Sequence, residues 1–157
     1  ADRVKIACMA QLVNVIAPIM TRNGGSAWPQ TIFWPLSQAS RFARGISLQP
    51  VLKSPKHDTK RFTDVPSVEA AATLGKDGAV NRELAESMQL EVDLRAFPGL
   101  SHFTHSVMQS NDLQAINCEA QPECVKPADG QGGRLEGGKL TVTLPPASWN
   151  VLRTLPE

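Results

Sequence analysis

The sequence predicts a mainly β protein, an antiparallel sandwich or barrel preceded by a short helix–strand–helix segment. Residues 88–97, MQLEVDLRAF, alternate Met88, Leu90, Val92 and Leu94 with Gln89, Glu91, Asp93 and Arg95, the period-two pattern of a half-buried strand. Residues 139–144, KLTVTL, repeat the pattern with Leu140, Val142 and Leu144. Turn signals such as Pro98-Gly99 and Gly130–Gly133 separate these stretches, and short strands with regular turns indicate a sandwich or barrel. A third stretch differs. Residues 12–19, LVNVIAPI, form a nearly unbroken apolar run, as in a strand buried on both faces of a helix-covered parallel sheet. The character changes near Gly45, which divides the chain into 1–45 and 46–157.

The elements follow in order. Asp2 is a plausible N-cap for a helix over Arg3–Gln11, and Cys8 would be a small buried apolar residue in it. Leu12–Ile19 is the buried strand, and Thr21–Ser26 is a loop turning at Asn23-Gly24-Gly25. A second helix follows Ser26 or Ala27, with Ile32, Leu36, Ala39 and Ala43 at helical spacing. Pro29 suits its first turn, Pro35 should kink or break it, and Gly45 is a natural stop. Beyond Met88–Phe97 and Lys139–Leu144, weaker strands are expected at Ile46–Lys53, His102–Met108 and Trp149–Leu155.

Bulk properties narrow the function classes. A net charge of +1 over 157 residues gives no electrostatic case for nucleic acid or an anionic membrane, and no apolar stretch reaches membrane-spanning length. The opening ADRVK lacks the basic leader and long apolar core of a secretory signal. It begins with Ala, consistent with Met removal or with a cut from a longer protein. Three cysteines, an odd number, point away from a disulfide framework and toward a reducing compartment.

Residues that could carry chemistry have plainer readings. His102 and His105 would share a helix face and hold a metal, but on a strand a spacing of three puts them on opposite faces. Cys118 and Cys124 read either as a disulfide or half a metal site, or as two loop thiols, with no second Cys/His pair to complete a zinc set. Asp58 with Asp64, Glu83 with Glu86 (one helical turn apart) and Glu91 with Asp93 read as solvated surface. No Ser, Cys or His lies in a nucleophile motif such as Gly-x-Ser-x-Gly. The loop after the first strand is the remaining site-like feature, because sites in parallel sheets form at the carboxyl ends of strands. Trp28 there offers a stacking surface and Gln30 a hydrogen-bonding amide. Alternatively, Trp28 covers the sheet end and Gln30 caps a helix.

The stretches ADRVKIACMAQLVNVIAPIM and AWPQTIFWPLSQASRFARG closely resemble the C-terminal part of glycoside hydrolase family fifty-one α-L-arabinofuranosidases. The resemblance continues in order through SPKHDTKRFTDVPSVEAAAT, AVNRELAESMQLEVDLRAF, NDLQAINCEAQPECVKP and LPPASWNVLR. It implies that Arg3–Gln11, Leu12–Met20 and Thr31–Arg44 are the helix before the last strand, the eighth strand and the closing helix of a (β/α)₈ barrel. Residues 1–45 would be the barrel remnant and 46–157 a jelly-roll-type sandwich. Family members are retaining enzymes with one glutamate as acid/base and another as nucleophile, two carboxyls about 5 Å apart. Both lie upstream, so the resemblance implies no catalytic residue in this chain, no metal and no cofactor. Gln30 matches the glutamine that touches the sugar, with Trp28 as the nearby aromatic. The implied partners are arabinofuranose-containing oligosaccharides, the missing N-terminal barrel portion and further copies in a cytoplasmic homo-oligomer. The chain alone would be inactive.

The chain also departs from the family pattern. The family has a further strand between a segment like Glu69–Leu74 and Ala-Val-Asn-Arg, where Gly75-Lys76-Asp77-Gly78 joins them directly here. Either Lys-Asp-Gly makes a tight hairpin turn or a deletion leaves a new sheet edge. Cys118 stands where the family often has a polar residue. A lone barrel strand has no sheet to join, so exposed apolar surface is expected in residues 1–44. Two other functions remain open: a non-catalytic carbohydrate-binding or assembly module, for which Trp149 is the sandwich's sole Trp and reads as core, and an inactive product of a truncated gene.

Overall fold

The computed structural model describes residues 5–74 and 76–156, with 76–81 and 156 described by backbone alone. Strands β1 (Ile19–Thr21) and β2 (Ala27–Pro29) precede a single helix, α1 (Phe33–Phe42). Strands β3 (Ser47–Leu48), β4 (Lys56–His57), β5 (Val65–Pro66), β6 (Val68–Thr73) and β7 (Lys76–Asn81) follow. The last group is β8 (Met88–Asp93), β9 (Leu100–Met108), β10 (Ala128–Asp129), β11 (Arg134–Glu136), β12 (Lys139–Leu144) and β13 (Ser148–Pro156). A six-stranded sheet runs β10-β9-β13-β7-β6-β3 and a three-stranded sheet runs β11-β12-β8, with small hairpins β1-β2 and β4-β5. Both edges of the large sheet are two-residue strands, short enough to offer little template for edge pairing.

The core lies between the two sheets. Leu140, Val142 and Leu144 of β12 are fully buried, and Met88, Leu90 and Val92 of β8 pack beside them. The large sheet answers with Val68, Ala70, Phe103 and Leu152. The period-two pattern places these residues correctly: along β8 half-buried and exposed positions alternate without a break. The large sheet also buries polar groups on this face. Asn150 donates to Ser148 Oγ (2.8 Å), so its Oδ1 is free to accept from His105 Nε2 (2.9 Å). That assignment leaves His105 Nδ1 an acceptor, and it has no hydrogen-bond partner.

Strand β13 is covered on its other face by α1. Gln38 of the helix accepts from Trp149 Nε1 (2.7 Å) and donates to Ser106 Oγ (3.0 Å), bridging β13 and β9. The Arg153 guanidinium lies 4.6 Å from the Phe42 ring centre, a cation–π contact. Trp149 is therefore half-buried beneath the helix rather than in the core between the sheets.

Several expectations are corrected. Asp2 and the first helical residues lie outside the described residues, but 5–11 are not helical and Cys8 is exposed. The buried strand over 12–19 is reduced to β1. Leu12 and Val15 are 73% and 80% exposed, and Asn14 and Val15 adopt left-handed φ of 63° and 57°, unfavourable for a β-branched residue. An apolar run forms a buried strand only with neighbouring strands on both sides, and among the described residues β1 has one strand partner, β2, beside an isolated bridge from Ile19 to Val13. Pro29 lies in β2, not in a helical turn. Because α1 starts at Phe33, Pro35 falls in its first turn, where a missing N–H costs nothing, and the helix runs on unbroken to Phe42. The segment Ile46–Lys53 pairs only through Ser47–Leu48, and β8 stops at Asp93, where Leu94 N turns to Gly138 O (2.7 Å). Residues 83–86 are not helical. Lys76-Asp77-Gly78 is no hairpin turn: it opens β7, which pairs with β6 from Thr73↔Lys76 and with β13 on its other side.

Apolar surface is exposed in the early chain as expected. Ile6, Leu12, Val15, Ile16, Ile32 and Leu36 are all exposed. All four positions read as the helix's apolar face, Ile32, Leu36, Ala39 and Ala43, are exposed, while Trp34, Gln38 and Phe42 form the half-buried row.

Two outcomes follow for the 157-residue chain. Leu140→Ala should cost about 2–5 kcal/mol by urea unfolding, while Lys139→Ala, breaking only an exposed pair with Glu91, should cost under ~1 kcal/mol; equal losses would contradict the core assignment. Limited trypsin digestion should cut at Arg22, Arg41 and Arg44 before sites in the sandwich, and equal resistance would contradict the exposed apolar segment.

Candidate functional site

The β1–β2 hairpin pairs Ile19 with Pro29 and Met20 with Trp28. Its turn closes through Arg22 N to Ser26 O (3.1 Å) and Gly25 N to Arg22 O (2.9 Å), with Gly24 at φ 68°, where glycine is unstrained. Asn14 braces the outgoing strand: its Oδ1 accepts from Thr21 N (2.7 Å) and its Nδ2 donates to Thr21 Oγ1 (2.8 Å).

Gln30 sits at the corner between β2 and α1. Its N–H donates to Pro18 O (2.8 Å) and its carbonyl accepts from Phe33 N (3.0 Å). The backbone is held from both sides, and the half-buried side chain leaves from a fixed point. Trp28 is half-buried two residues earlier, with its Nε1 buried and without a hydrogen-bond partner. A buried indole N–H usually finds an acceptor, so this donor stands ready for one. The structure thus brings Trp28 and Gln30 to the end of one strand. Gln30 also shapes the helix start, but through its carbonyl.

The other candidates disperse. His105 is buried and His102 exposed, on opposite faces of β9 as their spacing requires. Among the described residues no group of three or more His, Cys, Asp or Glu is arranged to hold a metal. Cys118 and Cys124 are free thiols in the loop 109–127. Asp58 caps its own hairpin by accepting from Asp64 N (3.0 Å), and Glu91 pairs with Lys139. Hydrogen bonds from Arg95 hold the exposed Asp93 carboxyl well below the ordinary carboxylate range. These acids serve local structure on the surface.

Two residues at this site escape sequence reasoning. Asn117, 1% exposed, donates to Pro29 O (3.1 Å) and Val125 O (2.9 Å) and accepts from Val125 N (2.7 Å). Glu119 accepts from Ser26 Oγ (3.0 Å) and pairs with Arg22 (3.0 Å). Both lie in the loop 109–127 between β9 and β10, far from the hairpin in sequence. Only the length of that loop signalled them, since loops beyond about 12–15 residues are usually functional or disordered.

Fold and corner together define an antiparallel β-sandwich domain with a strand–turn–helix segment docked on it. The chain belongs to the alpha-L-arabinofuranosidase C-terminal domain family, whose model matches residues 1–148. It is 46% identical over 159 residues to an intracellular exo-α-(1→5)-L-arabinofuranosidase of Halalkalibacterium halodurans, covering 98% of this chain and 31% of that protein. It is 45% identical to an intracellular exo-α-(1→5)-L-arabinofuranosidase of Bacillus subtilis, with the same coverage of 98% and 31%. A solved family 51 α-L-arabinofuranosidase from Bifidobacterium longum superposes with a TM-score of 0.90 at 35% identity, over 98% of this chain and 31% of that one. The chain thus spans about 31% of the length of these relatives.

All three thiols should react with a disulfide reagent in the untreated chain, the half-buried Cys118 more slowly than Cys8 and Cys124. Fewer than three reactive thiols would contradict the free state.

Proposed function

We propose that this chain is the C-terminal part of a retaining exo-α-L-arabinofuranosidase that releases terminal non-reducing arabinofuranosyl residues from oligosaccharides. One observation carries the reading: 46% identity runs over 98% of the chain to an enzyme of that name, of which the chain spans 31%. The two glutamates of double displacement, about 5 Å apart in retaining enzymes, belong to the upstream part. Residues 1–45 then close a (β/α)₈ barrel and 46–157 form the sandwich. The exposed apolar surface at Leu12, Val15 and Ile16, with Ile32 just before α1 and Leu36 on it, supports this, because such surface needs the neighbouring strands and helices of a barrel.

In this reading Gln30 is the substrate contact. Its amide offers donors and an acceptor to sugar hydroxyls, and its fixed backbone limits the entropy lost on binding. Trp28 walls the same end of the strand. The relatives' names support an α-1,5 linkage and a cytoplasmic location. A carbohydrate-binding sandwich is less favoured, since Trp149 is engaged by Gln38 beneath α1 and offers no open platform for a sugar ring.

The full-length protein should hydrolyse 4-nitrophenyl α-L-arabinofuranoside, and the 157-residue chain should not. Gln30→Ala in the full-length protein should lower kcat/KM about 10- to 100-fold, the worth of a polar contact to substrate. Hydrolysis by the chain alone would contradict the upstream glutamates, and an unchanged Gln30→Ala would contradict its role as a sugar contact.

A further inference from the structure

We propose that Asn117 and Glu119 are positioning residues that make the sandwich loop 109–127 a clamp on the substrate-contacting corner. The proposal rests on the reading of Gln30 as a sugar contact. Glu119 uses both carboxylate oxygens on the hairpin: Oε1 accepts from Ser26 and Oε2 pairs with Arg22, each at 3.0 Å. Those residues flank the Asn23-Gly24-Gly25 turn, so one side chain holds both sides of the hairpin tip.

Asn117 acts at the opposite end of β2. Its Nδ2 reaches the carbonyl of Pro29 (3.1 Å), the residue directly before Gln30. That carbonyl belongs to the peptide unit containing the Gln30 nitrogen, which donates to Pro18 O. The peptide plane entering Gln30 is therefore fixed from two directions, by the outgoing strand and by the sandwich. Asn117 is itself locked by the two-way exchange with Val125, N–H to Oδ1 at 2.7 Å and Nδ2 to O at 2.9 Å. With one amide it closes its own loop and ties that loop to the corner.

The loop has further ties to itself. Cys118 and Gln121 exchange backbone bonds at 3.2 and 3.1 Å, and Lys126 pairs with Glu123. A loop of this length held so firmly gives Asn117 a defined place from which to position a remote strand. The consequence is geometric. Displacement of about 1 Å at a substrate contact is enough to cost on the order of 100-fold in rate, so residues that touch no substrate set the rate through Gln30.

The test is a double-mutant cycle in the full-length enzyme, assayed on 4-nitrophenyl α-L-arabinofuranoside with melting temperatures measured in parallel. Asn117→Ala should lower activity about 10-fold or more, through the same change, a lower kcat or a higher KM, that Gln30→Ala produces. In the Gln30→Ala background it should cost less than about twofold, because the contact it positions is gone. Glu119→Ala, which removes a half-buried side chain outside the core and is the variant to use should Asn117→Ala fail to fold, should cost about threefold alone and nothing measurable in the Gln30→Ala background. Equal losses in both backgrounds, or no loss in a folded variant, would overturn the clamp while leaving the Gln30 reading intact. An inert Gln30→Ala would overturn the Gln30 reading and the clamp with it.

Discussion

Burial of β13 on both faces is the constraint on which the rest of the structure depends. Its inner face carries Ser148, Asn150, Leu152 and Thr154 into the interior, where Leu152 joins the core closed by β12. Its outer face gives Trp149 and Arg153 to α1. The strand also holds the centre of the large sheet, pairing with β9 on one side and β7 on the other. Polar residues on its inner face are tolerable because Asn150 bonds both Ser148 Oγ and His105 Nε2, where an unpaired polar group costs about 1–3 kcal/mol.

From that strand two routes lead to the corner that carries Gln30. One runs through Gln38, which bridges β13 and β9 and so seats α1, whose first turn begins at Gln30 O. The other runs along β9 into the loop 109–127, which returns to the hairpin through Asn117 and Glu119. The sandwich thus holds the corner from its helix side and from its turn side. What it leaves open is the apolar surface of residues 6–16 and the outward row of α1.

The legible parts of the fold are those whose pattern is satisfied locally. Lys139–Leu144 is legible with its bounds because β-propensity, alternation and one buried face all agree there. The turn at Asn23-Gly24-Gly25 is legible too, since Asn-Gly-Gly after an apolar run marks a chain reversal, but β2 is not: a helix is expected after Ser26 or Ala27, where the structure has a strand over Ala27–Pro29. The run itself misled: Leu12–Ile19 describes a strand among neighbours, and the described residues supply one partner for its last residues. In α1 the helically spaced aliphatic positions Leu36 and Ala39 face away from the sandwich, while the half-buried row centres on a polar residue, Gln38, between Trp34 and Phe42, which helical spacing of aliphatic residues does not reveal. Asn117 was invisible for another reason: its meaning lies in a contact with Pro29 across 88 residues, which no local pattern encodes.

The most direct test is the intact mass of the native protein that carries this chain, taken with its activity on an aryl α-L-arabinofuranoside. A mass about three times 17.0 kDa, as the 31% share of its relatives implies, together with hydrolysis, is the result predicted. A native mass of 17.0 kDa, or a larger protein without activity, would contradict the account.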